Sequence, residues 1–333
     1  MSLKKRVALS LPAPTGQVSD TLAMAQRAEA LGYDDVWLAD AGGLDALTLA
    51  PMILEKTRSI RLGIAVVPAY TRTPAVIAST LSVIGQAYPE RFVPGLGTSS
   101  HTIIESWHGL KFEKPLGRIR DTVALLRTMM AGEKTDYEGS TLHSRGYRQL
   151  PIASPMPIYL AGLRPKMLEL AAEIGDGVIL NLFPRDALPK IMEHIAIGAE
   201  RAGKNPADVE VVCRHMMAVT EDKAAGRNAF RAAFASYYST PVYNNFLAWA
   251  GYEDAAREIR EGWASKDRER TAAALPDELV DEIGLIGPEQ ECQQLIRDYA
   301  QAGIHTNIVS CILPTPEVFE ATCLAFSSER FSF

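Results

Sequence analysis

The sequence predicts an α/β protein of the (β/α)8 TIM-barrel class, with inserted loops and a helical insertion after the seventh strand, carried as a single domain over residues 1–333. Three observations predict it. Eight short apolar runs alternate with helical patterns, as a barrel of eight strands requires. No G-x-G-x-x-G follows the first run, where a dinucleotide-binding open sheet would carry one. A helix–glycine–strand joint recurs at Gly32, Gly175 and Gly303. An open doubly wound sheet shares the alternation and is the competing architecture.

The elements follow in order. Residues 6–11 form an apolar strand that ends at Pro12, Pro14 and Gly16. Ser19 is expected to cap a helix over 20–31, stopped by Gly32. Residues 35–40 are the second strand, ending on Asp40 before Gly42 and Gly43, and a helix covers about 44–57. The third strand, 60–67, closes at Pro68; Pro74 opens the third helix at its first position. The fourth strand is the stretch from Arg91 to Gly97, and its helix starts at Pro115 and runs to about Met130. Residues 134–150 read as an inserted hairpin or loop. The fifth and sixth strands are 157–161 and 176–181, with helices after Pro165 and over about 186–202. The seventh strand, 209–219, is the longest. A charge-rich, mostly helical span over about 221–283 follows it, holding Tyr237, Tyr238, Tyr243, Phe246 and Trp249. A helix over 288–302, the eighth strand over 305–310 and a last helix from Pro316 to about Phe326 complete the chain.

Composition bounds the function. With 333 residues, 47% of them hydrophobic, the chain can bury a large core. A net charge of −6 and a pI near 5.6 lack the basic footprint of a nucleic-acid binder. No polybasic run and no apolar run near the roughly 18 residues of a membrane span is present, so no membrane partner is expected. No apolar segment follows the charged residues 4–6, so no signal peptide is expected. Cys213, Cys292, Cys311 and Cys323 form no C-x-x-C pair and have no histidine at ligand spacing. That is a reduced, cytoplasmic pattern without a structural metal. A homodimer or higher homo-oligomer is expected.

In a barrel the reacting groups lie at the C-terminal ends of the strands. That rule selects residues 12–16, Asp40, 65–68, 98–101, 162–164, Asn181, 215–217 and 310–311. Gly162-Leu163-Arg164-Pro165 opens a helix, whose free amides bind phosphate and to which Arg164 adds a charged donor. An ordinary strand-to-helix turn with a surface arginine would look the same. Gly97-Thr98-Ser99-Ser100 offers a second set of donors, and two such cradles suit one extended, phosphate-bearing cofactor. Asp40 is a candidate acid, base or ring contact, or else the N-cap of the following helix. His101 and His108, in a loop above the mouth, are candidate acid/base or ring-contact groups, or ordinary surface histidines. Trp107 stacks on a flat ligand or pins its loop. His215 reads as a packed core histidine. No metal cluster, nucleophile elbow, P-loop or Cys/His dyad is present, and no metal is expected.

Several motifs in one order carry a family. They are Gly95-Leu-Gly-Thr-Ser-Ser100, Ser106-Trp-His-Gly109 and Phe112-Glu-Lys-Pro-Leu-Gly-Arg118; Leu62-Gly-Ile-Ala-Val-Val-Pro-Ala-Tyr-Thr-Arg-Thr-Pro74; and Pro157-Ile-Tyr-Leu-Ala-Gly-Leu-Arg-Pro-Lys-Met-Leu-Glu-Leu170 with Ile174-Gly-Asp-Gly-Val-Ile-Leu-Asn181. Over nearly its whole length the chain resembles the luciferase-like monooxygenase superfamily, and within it the oxidoreductases that use the deazaflavin coenzyme F420. The resemblance implies a barrel enzyme that moves a hydride between coenzyme F420 and a small organic substrate. It implies a bulge in the third strand with a non-prolyl cis peptide at Ala65–Val66 backing the ring, although Ala65 stands where members often have glycine, serine or cysteine. It places Thr98, Ser99 and the Gly162–Leu163–Arg164 turn on the ribityl-phosphate tail and Asp40 near the ring edge, with Gly97 and Asn181 completing the cofactor set. It does not carry over a catalytic residue, which leaves Asp40, His101 and His108 as candidates. An FMN-dependent monooxygenase and a non-catalytic flavin-binding protein are the alternatives on this fold. The substrate is not readable: alcohol, sugar phosphate, folate-like one-carbon carrier and enone all stay open.

Overall fold

Parallel strands that bury both faces need near-continuous apolar runs, and the observed strands are such runs. A computed structural model describes residues 3–40, 42–154, 156–313 and 315–333. Its strands are β1 (Arg6–Leu11), β2 (Asp35–Leu38), β3 (Arg61–Ile64), β4 (Val67–Pro68), β5 (Phe92–Val93), β6 (Gly95–Gly97), β7 (Asp136–Glu138), β8 (His143–Arg145), β9 (Tyr159–Ala161), β10 (Gly177–Asn181), β11 (Glu210–Val219), β12 (Leu285–Gly287) and β13 (Thr306–Cys311). The helices are α1 (Val18–Ala30), α2 (Ala46–Lys56), α3 (Pro74–Ala87), α4 (Pro115–Met130), α5 (Pro165–Ile174), α6 (Leu188–Arg201), α7 (Lys223–Tyr238), α8 (Pro241–Ala250), α9 (Glu253–Ala264), α10 (Arg268–Ala273), α11 (Asp277–Ile283), α12 (Glu289–Gln301) and α13 (Pro316–Ala325).

The main sheet is parallel and curled, in the order β4-β6-β9-β10-β11-β13-β1-β2-β3-β5. Its two ends belong to the same pair of chain segments: β3 pairs with β5 through Leu62–Phe92, and β4 pairs with β6 through Val67–Leu96. Each segment is interrupted once, at Ala65–Val66 and at Pro94. The expected continuous third and fourth strands are therefore each broken in two. The Ala65–Val66 peptide is cis, as the resemblance implied.

Ala8, Trp37, Tyr159, Ile179, Val212 and Ile308 pack inside the curl. Trp37 reaches the centre because Gly63 makes room: a Cβ on Gly63 would lie 2.4 Å from the indole. At the N-terminal end of the strands Arg61 donates to Asp35 and Glu210, Thr306 donates to Glu210, and Arg6 donates to Asp35. Burial alone would lower the Arg61 pKa, but the two carboxylates raise it; burial alone would raise Glu210, but Arg61, Thr306 and Tyr159 hold it down to about 2. This end is a closed ionic floor.

Several local expectations change. Ser19 caps nothing: α1 starts at Val18 after Gln17, and the Ser19 hydroxyl donates to Asp20. The second strand stops at Leu38, two residues before Asp40. A short strand, β12, follows the helical span and pairs with β11 through Met217–Leu285; three residues are too few to show as a periodic run. The hairpin expected at 134–150 is β7–β8. It is tied to α4 by the buried Asp121, whose carboxylate accepts from the Tyr137 and Thr141 hydroxyls and from the Thr141 and Leu142 amides at 2.6–3.1 Å. The helices α7 to α11 form a second apolar cluster, Phe230, Tyr238, Leu247, Ile259, Leu279 and Ile283, which joins Met216 and Ala218 of β11.

Candidate functional site

The C-terminal ends of β4, β6, β9 and β10 lie side by side, because these strands pair in that order. Four of the expected cofactor segments follow that order: Ala65–Val66 just before β4, Gly97–Ser99 at the end of β6, Gly162–Arg164 after β9, and Asn181 ending β10. Gly97 lies against the Ala65–Val66 interruption; a Cβ on it would sit 2.4 Å from Val66 Cγ2 and 3.4 Å from Ala161 Cβ. The missing Cβ makes room for the Val66 side chain, so β6 packs directly against the interruption. Thr98 and Ser99 are half-buried, and Ser99 takes a positive φ of 63°. That conformation is uncommon for a non-glycine residue.

Gly162 packs on the first turn of α5, where a Cβ would lie 2.9 Å from Leu168 Cδ2. Leu163 is half-buried and packs against the main core, and Arg164 is exposed at the N-cap position of α5 with Pro165 at the first helical position. Its side chain makes no cap hydrogen bond. The amides of this turn and the Thr98 and Ser99 hydroxyls stand on neighbouring strands, a donor set that fits an extended phosphate-bearing group. A ring with such a tail fits the mouth on one count: Asn181 Oδ1, at the end of β10, is buried without a hydrogen-bond partner.

Asp40 is not a helix cap. Asp45 caps α2, accepting from the Thr48 amide at 2.6 Å, while Asp40 accepts from Arg72 Nη1 at 2.8 Å. Arg72 also donates to Asp45, so one guanidinium holds two carboxylates at the edge of the mouth. His101 and His108 flank a π-helical turn, Thr102–Trp107, and both are exposed. The His101 ring lies 4.3 Å from that of Phe112, which lies 5.2 Å from Tyr70; the Arg118 guanidinium covers Tyr70 at 5.0 Å. Trp107 is exposed beside Gly42, on which a Cβ would sit 3.1 Å from its ring. His215 is the packed core histidine expected, contacting Asn307 Oδ1 through Nε2 at 2.9 Å and stacking near Tyr299. Burial lowers its pKa to about 4, against the Asn307 hydrogen bond.

Sequence reasoning missed Arg72 and Arg214. Arg72 and Asp40 are 32 residues apart, and no local pattern joins them. Arg214 was signalled by strand alternation, since a neighbour of an outward His215 faces the other side. Burial raises the four thiols Cys213, Cys292, Cys311 and Cys323, so none acts as a nucleophile at neutral pH. Among the described residues no cluster of His, Cys, Asp or Glu could hold a metal, and no helix is long and apolar enough to cross a membrane.

The class so defined is an α/β protein with a curled parallel sheet, its candidate site at the C-terminal strand ends. The match to a family model confirms the family: residues 1–306 match luciferase-like monooxygenase, and the chain belongs to that family. It is 28% identical over 300 residues to 5,10-methylenetetrahydromethanopterin reductase of Methanolobus tindarius, covering 89% of this chain and 91% of that one. It is 31% identical over 304 residues to an F420-dependent glucose-6-phosphate dehydrogenase of Mycolicibacterium gilvum, covering 85% and 84%. The coenzyme F420-dependent tetrahydromethanopterin reductase of Methanopyrus kandleri shares the fold, with a TM-score of 0.83, 20% identity and 98% of both chains covered.

Proposed function

We propose that the protein is an oxidoreductase that uses coenzyme F420 to move a hydride to or from a small organic substrate. The observation that carries the proposal is the row of adjacent strand ends, with the orphaned Asn181 Oδ1 at the end of β10 and phosphate donors after β6 and β9. Membership of a family with F420-dependent relatives supports it. The bound deazaflavin supplies the two-electron carrier. The chain's own part is to hold and orient it. Ala65, Val66 and Gly97 back the ring; Thr98, Ser99, Gly162, Leu163 and Arg164 hold the phosphate-bearing tail; Asn181 offers its unpartnered oxygen to the ring edge.

Arg72 fixes the Asp40 carboxylate at the mouth, which makes Asp40 the best-placed group to move the proton that accompanies the hydride. His101 and His108 stand further out, in solvent, as substrate-side groups. The finer architecture belongs to the same reading. Counting β3–β4 and β5–β6 as one interrupted strand each makes a closed (β/α)8 barrel of one domain, and α7 to α11 are its helical insertion. The half-exposed Met52, Val76 and Val83 on the adjoining α2 and α3 suit a homo-oligomer contact, and the four free cysteines suit the cytoplasm.

The test is binding. Deazaflavin fluorescence should be quenched on titration with the protein, and Ser99→Ala and Arg164→Ala should each weaken affinity several-fold. Unchanged affinity in both variants removes the two-cradle arrangement. Tight FMN binding with oxygen consumption, and no deazaflavin binding, overturns the proposal itself.

A further inference from the structure

Two arginines point into the sheet's interior space from opposite ends, and they are treated differently. Arg61, in the floor, is matched by Asp35, Glu210 and Thr306. Arg214, in the middle of β11 and level with the end of β10, has no carboxylate within ion-pair distance among the described residues. Its Nη2 donates to the Ser310 hydroxyl at 2.9 Å, and its Nε is sealed from solvent with no partner. Asn181 is its register partner on β10, so the two side chains share a face, and Asn181 Oδ1 is likewise sealed and unpartnered. Arg214 lines a narrow recess together with Ser10, Trp37, Ala39 and Ala65.

A buried cation with an open hydrogen-bond position costs free energy unless something answers it. Burial lowers the Arg214 pKa, and the facing groups Tyr237 and Tyr243 are phenols rather than carboxylates, so the protein itself supplies no counter-charge. The planar fork of a guanidinium matches a carboxylate, two oxygens on one carbon, better than a point charge does. We infer that Arg214, with Ser310, is a substrate subsite that takes a carboxylate, so that the hydride partner is a small carboxylic acid or a carboxylate-bearing carbonyl compound. The inference rests on the oxidoreductase reading above. The same oxygen chemistry could come from the polar edge of the cofactor ring, and the experiment separates the two sources.

Benzoate and benzamide are titrated into the ligand-free protein by calorimetry, and deazaflavin affinity is measured separately by fluorescence, for the wild type, Arg214→Met, Arg214→Lys and Ser310→Ala. Benzoate should bind the wild type and benzamide at least tenfold more weakly. Arg214→Met should lower benzoate affinity at least tenfold and leave deazaflavin affinity within twofold. If Arg214→Met fails to fold by circular dichroism, Arg214→Lys, which keeps the charge without the fork, and Ser310→Ala decide, each with a three- to tenfold loss for benzoate. Equal binding of benzoate and benzamide overturns the inference. So does a tenfold loss of deazaflavin affinity with benzoate unaffected, which would assign the oxygen to the cofactor. A wild type that binds benzoate through Arg214 but no deazaflavin would sink the oxidoreductase reading and leave the carboxylate site standing.

Discussion

Gly97→Ala tests whether the mouth wall is built by contact. The substitution needs no backbone change, because Gly97 is not among the residues with positive φ. Its effect comes from one methyl group. That methyl would lie 2.4 Å from Val66 Cγ2, well inside ordinary van der Waals contact, and 3.4 Å from Ala161 Cβ, which is tight. Val66 is β-branched and stiff at χ1, so its methyl cannot swing clear. Either Val66 moves toward the mouth or β6 moves away from β4. Overpacking of this kind costs about 1–3 kcal/mol, and either movement displaces the surface meant for the cofactor ring. Urea unfolding should report that loss, and deazaflavin titration an affinity loss of about tenfold or more, the equivalent of roughly 1.4 kcal/mol. Val66→Ala removes the clashing carbon. The double variant Gly97→Ala/Val66→Ala should recover most of the stability, a positive coupling that a double-mutant cycle measures. A Gly97→Ala protein with wild-type stability and affinity, or a double variant showing simple additivity, would refute the contact argument.

Two further outcomes follow from buried charge. His215 is neutral when folded, with its pKa lowered to about 4 by burial, so the unfolded chain binds the extra proton first. Its contribution is complete above about pH 6.5 and is lost as pH falls toward 4, about 2 kcal/mol of it by pH 5. Urea midpoints at pH 7.5 and 5 should diverge less in His215→Gln, and identical pH slopes would exclude this group as their source. In the floor, Arg61→Leu leaves Asp35 and Glu210 without their shared cation; breaking such a buried network costs about 3–5 kcal/mol. A thermal or urea measurement showing less than about 1 kcal/mol would mean that water or Arg6 replaces it.

The alternation of strands and helices was legible because each buried strand must be apolar and each helix starts at a recognisable signal. Pro74, Pro115, Pro165 and Pro316 all sit at the first helical position where they were expected. The breaks in the third and fourth strands were only partly legible. Pro94 stands in plain view, since it cannot donate to a ladder, yet its run reads as one strand by hydrophobicity. The cap expected at Ser19 went wrong: Gln17 precedes α1, and the Ser19 hydroxyl donates to Asp20 inside the helix. The mouth divided the same way. Gly97, Ser99 and Gly162 announce themselves by local chemistry. Arg72 on Asp40 and Arg214 beside Asn181 depend on which strand neighbours which, and that is a property of closure rather than of any window of sequence.

The Asp121 carboxylate gathers the polar ties of the β7–β8 hairpin to α4 at one side chain. One side chain on α4 receives three hydroxyls and two amides from a segment 16–21 residues away. Excising the hairpin while keeping the aspartate would bare that carboxylate to water, whereas replacing the aspartate while keeping the hairpin would strand its donors. The hairpin therefore depends on the aspartate, and the aspartate does not depend on the hairpin. Transplanting this excursion onto another barrel of the family requires carrying that one helical residue with it.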